Sequence, residues 1–231
     1  LHYRLGHTSI FQYISAIYNN YLFKIEFLNL PLASLFPLFI IFLFKKINEA
    51  FKTTNEIKII SIFFIIIFSF YSFNRYSNFG NDAPASIFFF ILIISILNIK
   101  DIKQIELNEF YNLVVISIFL ITLKPSMIIV LPLLITLFLI NKNKLELFKH
   151  KNFLICLVFA SSFMLKNFLI SGCLLFPLKE TCLGNLSYYN NDVVDLASNE
   201  AEAWAKGYPD SVKKTTFEEY SSDFNWINTW F

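Results

Sequence analysis

Glycine is scarce, five residues in 231, and none stands where a phosphate-cradling or nucleophile-bearing turn needs it. The chain has no Walker A loop, no G-x-G-x-x-G fingerprint and no G-x-S-x-G elbow. P-loop, dinucleotide-fold and α/β-hydrolase readings fall away, and no cofactor is expected. Cysteine is almost as sparse, with three residues, and no Cys/His spacing resembles a zinc site; His2 and His7 are too isolated to make one. No metal is expected. Charge of one sign is also missing: 19 Lys and Arg against 17 Asp and Glu leave a net +2. The lysines alternate by loop instead of forming one patch, so no nucleic-acid partner is expected. There is no internal repeat, no low-complexity linker, no initiator Met and no leader pattern, and the chain stops at Trp230–Phe231. It reads as a piece of a longer membrane protein.

What is present is apolar. Hydrophobic residues make up 56% of the chain, aromatics 19% with 29 Phe, and the mean hydropathy is +0.56. A soluble domain of this size could not hide that surface, so the expected class is all-α, a polytopic transmembrane helical bundle in a lipid bilayer. Six apolar runs carry it: 27–44, 59–73, 83–99, 110–123, 127–140 and 153–170. Residues 1–26 precede them as a polar start and an amphipathic stretch, with Ile10, Tyr13, Ile14, Ile17, Tyr18 and Tyr21 at helical spacing. That stretch is too polar to span and is expected to lie in the membrane interface.

The fourth and fifth runs are short, about 21 Å each at ~1.5 Å per residue. Reading them as one kinked span through Lys124–Pro125 is the alternative to two separate spans. The distribution of positive charge favours two. With six spans, the connections 45–58, 100–109 and 141–152 fall on one side and hold ten lysines. The opposite connections, 74–82 and 124–126, hold only Arg75 and Lys124. Fusion would move the lysine-rich 141–152 connection to the wrong side. The expected location is the inner, cytoplasmic membrane, crossed several times, with residues 171–231 opening an extracytoplasmic region.

The segment 73–84 is the polar centre of the chain, placing an Arg, an Asp, three Asn and a Gly between two apolar runs. Asp82 is the expected N-cap of the following helix, with Pro84 in its first turn. The outer face then collects His2, Arg4, Arg75, Lys124 and Lys166, which could converge on a lipid phosphate. For each, snorkelling to the interface is the simpler alternative. Lys124 resists it best, because short flanking runs would hold it below the interface, where an unpaired charge costs at least ~2.5 kcal/mol.

Cys173 and Cys182, spaced C-x8-C around Pro177, read as a disulfide-closed loop in an oxidising compartment. Cys156 reads as a buried apolar residue. Asn185–Leu186–Ser187 matches the N-glycosylation triplet. Beyond residue 172 the composition becomes soluble, with a helix-prone stretch at 195–206; Trp204, Tyr208, Trp226 and Trp230 favour a packed region over a disordered tail.

The opening His2–Tyr3–Arg4–Leu5–Gly6–His7–Thr8–Ser9–Ile10, an aromatic amphipathic stretch and then a span, resembles the juxtamembrane segment of GT-C type membrane glycosyltransferases. Among these are the aminoarabinose and mannosyl transferases that use polyprenyl-phosphate sugars. Arg4 falls at the family's phosphate-meeting basic position, although Leu5–Gly6 stands where the family has proline. The Gly80–Asn81–Asp82–Ala83–Pro84 loop, the Lys124–Pro125–Ser126 break and Lys166–Asn167 are similar to features of uncharacterised bacterial proteins of this broad type. The resemblance implies transfer of a sugar from a polyprenyl-phosphate-linked donor to a lipid- or surface-linked acceptor on the outer face. It also implies a catalytic acid in a loop that would precede Leu1. Within this chain Asp82 is the candidate base, or a group that positions one. A transporter or flippase, for which the outward cations would form a substrate vestibule, and an O-antigen polymerase-like protein are the alternatives.

Overall fold

The computed structural model describes residues 9–10, 14, 17, 30–71, 81–142, 144–208 and 216–229. The described residues are helical throughout, apart from turns and one isolated antiparallel bridge between Cys173 and Cys182. In chain order the helices are α1 (Leu30–Lys52), α2 (Glu56–Tyr71), α3 (Asp82–Leu97), α4 (Leu107–Leu123), α5 (Leu131–Ile140), α6 (Lys144–Lys149), α7 (Lys151–Ser171), α8 (Asn191–Ala205) and α9 (Phe217–Ser221). Of the amphipathic lead-in, Ile10, Ile14 and Ile17 are helical, and Ile10 packs against the core of α1–α3. Apart from the buried Ser9, the remainder of residues 1–26 lies outside the described residues.

Over their described residues all six apolar runs are mainly helical, but the edges differ from the hydropathy edges. α1 continues through Lys45, Lys46 and Glu49 to Lys52, and α2 begins at Glu56. The connection expected over 45–58 is therefore a turn of three residues, entered through Thr54 at φ 50°. Lys, Glu and Ala are good helix formers, so loss of apolarity does not end a helix. Lys46 donates to Glu49 at 2.7 Å, three residues on, and supports that turn. The break at Lys124–Pro125 is local steric chemistry: proline drives the preceding residue out of the α region, and Lys124 has φ −148° and ψ 115°. A 3₁₀ turn over Pro125–Val130 leads into α5.

The chain forms two compact units, one of them Ser9–Ala160, the other including Ser161–Phe231. In the first, α3 is the central helix. Its Ala83, Ala85, Ile87 and Ile94 join Leu32, Phe39 and Leu43 of α1 and Ile62 and Ile65 of α2 in one core. Its Leu92 joins Leu113 and Leu120 of α4, and Leu134 and Leu137 of α5, in another. Phe88 and Phe119 meet edge to face at 4.8 Å across the α3–α4 contact. Serines within these apolar helices donate to carbonyls one turn back, as Ser69 to Ile65 and Ser95 to Ile91.

Backbone and side-chain bonds fix which turns share an end of this unit. Lys58 Nζ donates to Asn98 Oδ1 at 3.3 Å, and Lys142 N–H to the Lys103 carbonyl at 3.0 Å. The starts of α2 and α4 thus lie with the ends of α3 and α5. Among the described residues two helices, α1 and α7, are long and apolar enough to cross a membrane. Large apolar side chains stand exposed along α2 (Ile60, Phe63, Phe64, Ile67, Phe70), α5 (Ile135, Leu139) and the first half of α7 (Leu154, Ile155, Val158).

In the second unit, α7 ends at Gly172, whose φ of +75° is left-handed and whose N–H closes onto the Phe168 carbonyl at 2.8 Å. A methyl group there would also meet the Tyr189 ring at 3.0 Å. A disulfide then joins Cys173 and Cys182. Cys173 and Phe176 pack with Val194 and Ala197 of α8. The helix expected over 195–206 starts earlier, because the Asn190 side chain accepts from the Val193 N–H at 3.1 Å and caps it.

Candidate functional site

The site grows from two helix ends that the fold brings together. Lys124 closes α4, and its extended backbone leaves the side chain free of the helical path. Asp82 opens α3. Forty-two residues apart in sequence, the two meet: Lys124 Nζ donates to Asp82 Oδ1 at 2.5 Å. The pair is partly open, with the lysine side chain 40% and the aspartate side chain 62% exposed.

Asp82 is not the N-cap that its spacing suggests. That position belongs to Asn81, whose φ −83° and ψ −9° are already helical. A capping side chain needs an extended backbone to reach the N–H groups of the first turn, and Asn81 makes no such bond. Its Oδ1 is buried without a partner among the described residues. Asp82, released from capping, turns its carboxylate to Lys124, and its backbone carbonyl accepts from Ser86 Oγ at 2.8 Å. A carboxylate in the first turn also lies well against the positive helix end.

Lys124 therefore has a protein carboxylate as its partner, where the depth of its flanking runs had suggested an external anion. Lys166 stands in α7, in the second unit, with Nζ 4.9 Å from the centre of the Phe163 ring. Its neighbour Asn167 is buried and donates to the Leu174 carbonyl at 3.3 Å, while Ser171 Oγ donates to the Asn167 carbonyl at 2.8 Å. Those bonds secure the exit of α7. His2, Arg4 and Arg75 lie outside the described residues. Among the described residues no group of three or more His, Cys, Asp or Glu could hold a metal ion.

The C-terminal unit also holds ionic contacts that sequence reading missed, among them Lys179 Nζ to Asp195 Oδ1 at 2.6 Å, tying the disulfide loop to α8. No local pattern marks a pair sixteen positions apart. The hydrogen bond that Lys179 donates to the Asp195 carboxylate, reinforced by that carboxylate's charge, holds the Lys179 ammonium above its ordinary value of 10.5. A raised value means that the contact's stabilisation is whole below pH 10.5 and fades as pH rises through the folded-state value. Following the Lys179 Cε chemical shift against pH, we expect Lys179 to titrate above 10.5. Asp195→Asn should lower that midpoint, and an unmoved titration would remove Asp195 as the cause.

The family described as a domain of unknown function (DUF8201) matches residues 1–231 of this chain. No curated protein and no solved structure matches it.

Proposed function

For a chain that belongs to the DUF8201 family, we propose a multi-pass membrane protein of the GT-C glycosyltransferase kind, acting on a polyprenyl-phosphate sugar at the outer face of the inner membrane. The observation that carries this reading is the Lys124–Asp82 pair, held across two helix ends remote in sequence. Lipid-compatible surface supports it, since α1 and α7 are long and apolar enough to span. The shorter α2 and α5 leave phenylalanine, isoleucine and leucine outward, which water would oppose.

The reaction this reading assigns is a substitution at the sugar's anomeric carbon. The acceptor hydroxyl oxygen forms the new bond, the carbon–oxygen bond to phosphate breaks, and polyprenyl phosphate departs with the electron pair. A carboxylate takes the acceptor proton, and cations offset the charge that grows on the departing phosphate. Lys124 is the cation for that phosphate. Asp82 is either the base or the group that positions Lys124 between turnovers. Arg75, which belongs to the same unit as Lys124, is a further phosphate contact in this proposal.

Two measurements test it. Cysteines placed at Lys142 and at Ser126 in the full-length protein should react with a membrane-impermeant reagent from opposite sides, and one at Ser198 from the Ser126 side. Lys142 and Ser198 reacting from the same side would end the six-span topology. Vesicles holding the full-length protein and a polyprenyl-phosphate sugar should release polyprenyl phosphate only when acceptor is present; movement of the intact polyprenyl-phosphate sugar to the far leaflet without bond cleavage would instead identify a flippase.

A further inference from the structure

In the C-terminal unit the disulfide loop has two unlike faces. Cys173 and Cys182 face each other across an antiparallel bridge, flanked by Leu174 N–H to the Thr181 carbonyl at 3.1 Å and Leu183 N–H to the Gly172 carbonyl at 2.9 Å. Side chains alternate along paired extended strands, so those of Leu174 and Leu183 project away from the side that carries the disulfide. The disulfide side packs inward: Cys173 is fully buried against Phe176 and the Val194–Ala197 face of α8, and Cys182 is half-buried against them. The opposite side is open and apolar, with Leu174 45% and Leu183 58% exposed, and Leu178, at the tip, 46% exposed.

This open face begins three residues beyond the end of α7, whose own second half leaves Leu165, Leu169 and Ile170 outward. Beside that helix end the Tyr188 hydroxyl donates to the Phe168 carbonyl at 3.2 Å, leaving half of the ring exposed. A tyrosine with its hydroxyl satisfied and its ring outward is the kind of residue that collects at headgroup level. The loop's own charges are Lys179 and the exposed Glu180, which follow Leu178 at its tip. Lys179 is drawn to Asp195 on α8, and Asp192, Glu200 and Glu202 line the same helix.

We propose that the disulfide loop is a lipid-seated foot: Leu174, Leu178 and Leu183 enter the headgroup–acyl boundary of the bilayer that α7 crosses, and α8 stays above it in water. The occupant is lipid because the exposed leucines continue the outward apolar surface of α7 without a break in the chain. Burial of three leucines would hold the start of the extracytoplasmic region flat on the membrane, next to any lipid-linked substrate. The disulfide keeps the loop narrow enough to show its leucines on one side. This inference rests on α7 being a span.

Spin labels test it in the full-length protein reconstituted in phosphatidylcholine–phosphatidylglycerol vesicles. Labels go on single cysteines at Leu178 or Leu183, in a Cys156→Ser background with the native disulfide confirmed by mass. A label at Leu165 reports on α7, and one at Asp192 reports on water. Collision with oxygen, relative to collision with a water-soluble nickel complex, should be severalfold higher at Leu178 and Leu183 than at Asp192. If Leu165 is lipid-exposed while Leu178 and Leu183 match Asp192, the foot is wrong and the span stands. If Leu165 also matches Asp192, the membrane reading itself fails. Low collision with both reagents at Leu178 and Leu183 would mean packing against protein, and would likewise overturn the proposal.

Discussion

Replacing Lys124 by Met is expected to lower sugar transfer by the full-length protein at least about 10²-fold, the loss typical of deleting one donor aimed at developing charge. Membrane insertion and helix content should stay unchanged. Methionine keeps the length and apolar stem of lysine, so the end of α4 and its turn into Pro125 have no steric reason to move. What disappears is the ammonium, and with it the 2.5 Å contact to Asp82. An ion pair this open contributes at most about 1 kcal/mol to folding in water. A large fall in rate with little change in stability would therefore mark a functional charge. The reversed pair, Asp82→Lys with Lys124→Asp, separates the roles further. It restores the attraction between the ends of α3 and α4 but moves the cation, so stability should recover and transfer should not. Unchanged transfer by Lys124→Met would leave the lysine as a surface contact alone, and recovery of transfer by the reversed pair would make the contact architectural.

Loss of the disulfide carries the largest expected effect on stability. Cys173→Ser should cost the C-terminal unit about 2–3 kcal/mol, because the bridge closes a loop of about ten residues in the unfolded chain. A second contribution has the same sign: position 173 is fully buried in the small core with Phe176, Val194 and Ala197, where a serine hydroxyl lacks water. The unfolding midpoint followed by the fluorescence of Trp204 and Trp226 should fall, whereas the helix signal dominated by α1–α5 should not move with it. Wild-type protein under a thiol reductant should follow the serine variant. A coincident loss of both signals would show that the unit does not unfold separately. No shift in the tryptophan midpoint would show that closure of the 173–182 loop does not limit its stability.

Much of the secondary structure was legible because it follows from local rules. Runs of Ile, Leu and Phe satisfy their backbone groups most simply as helices where little water can bond them, and the described residues of each of the six runs are mainly helical. The break at Lys124 was legible too, since proline acts on its immediate neighbour whatever the fold around it. The C-x8-C spacing allowed a bridge, and Cys173 and Cys182 are joined. Helix edges were less legible. Polarity places the end of a hydrophobic run, but Lys45–Lys52 has the propensity to continue the helix beyond it.

Composition and local pattern, by themselves, determined that this chain is helical, where its apolar segments run and where proline interrupts them. Charge counting along the chain divided its connections into a lysine-rich set and a lysine-poor set. Tertiary structure alone decided which polar groups meet. Spacing assigned Asp82 to its own helix as a cap, but the helical backbone of Asn81 took that position and left the carboxylate to Lys124, forty-two residues away. In the same way Lys179 found Asp195, and Leu174 and Leu183 were turned away from the disulfide. These contacts depend on helix packing and on which face a short bridged loop presents. Both are set by side chains distant in sequence, so no window of the chain contains them.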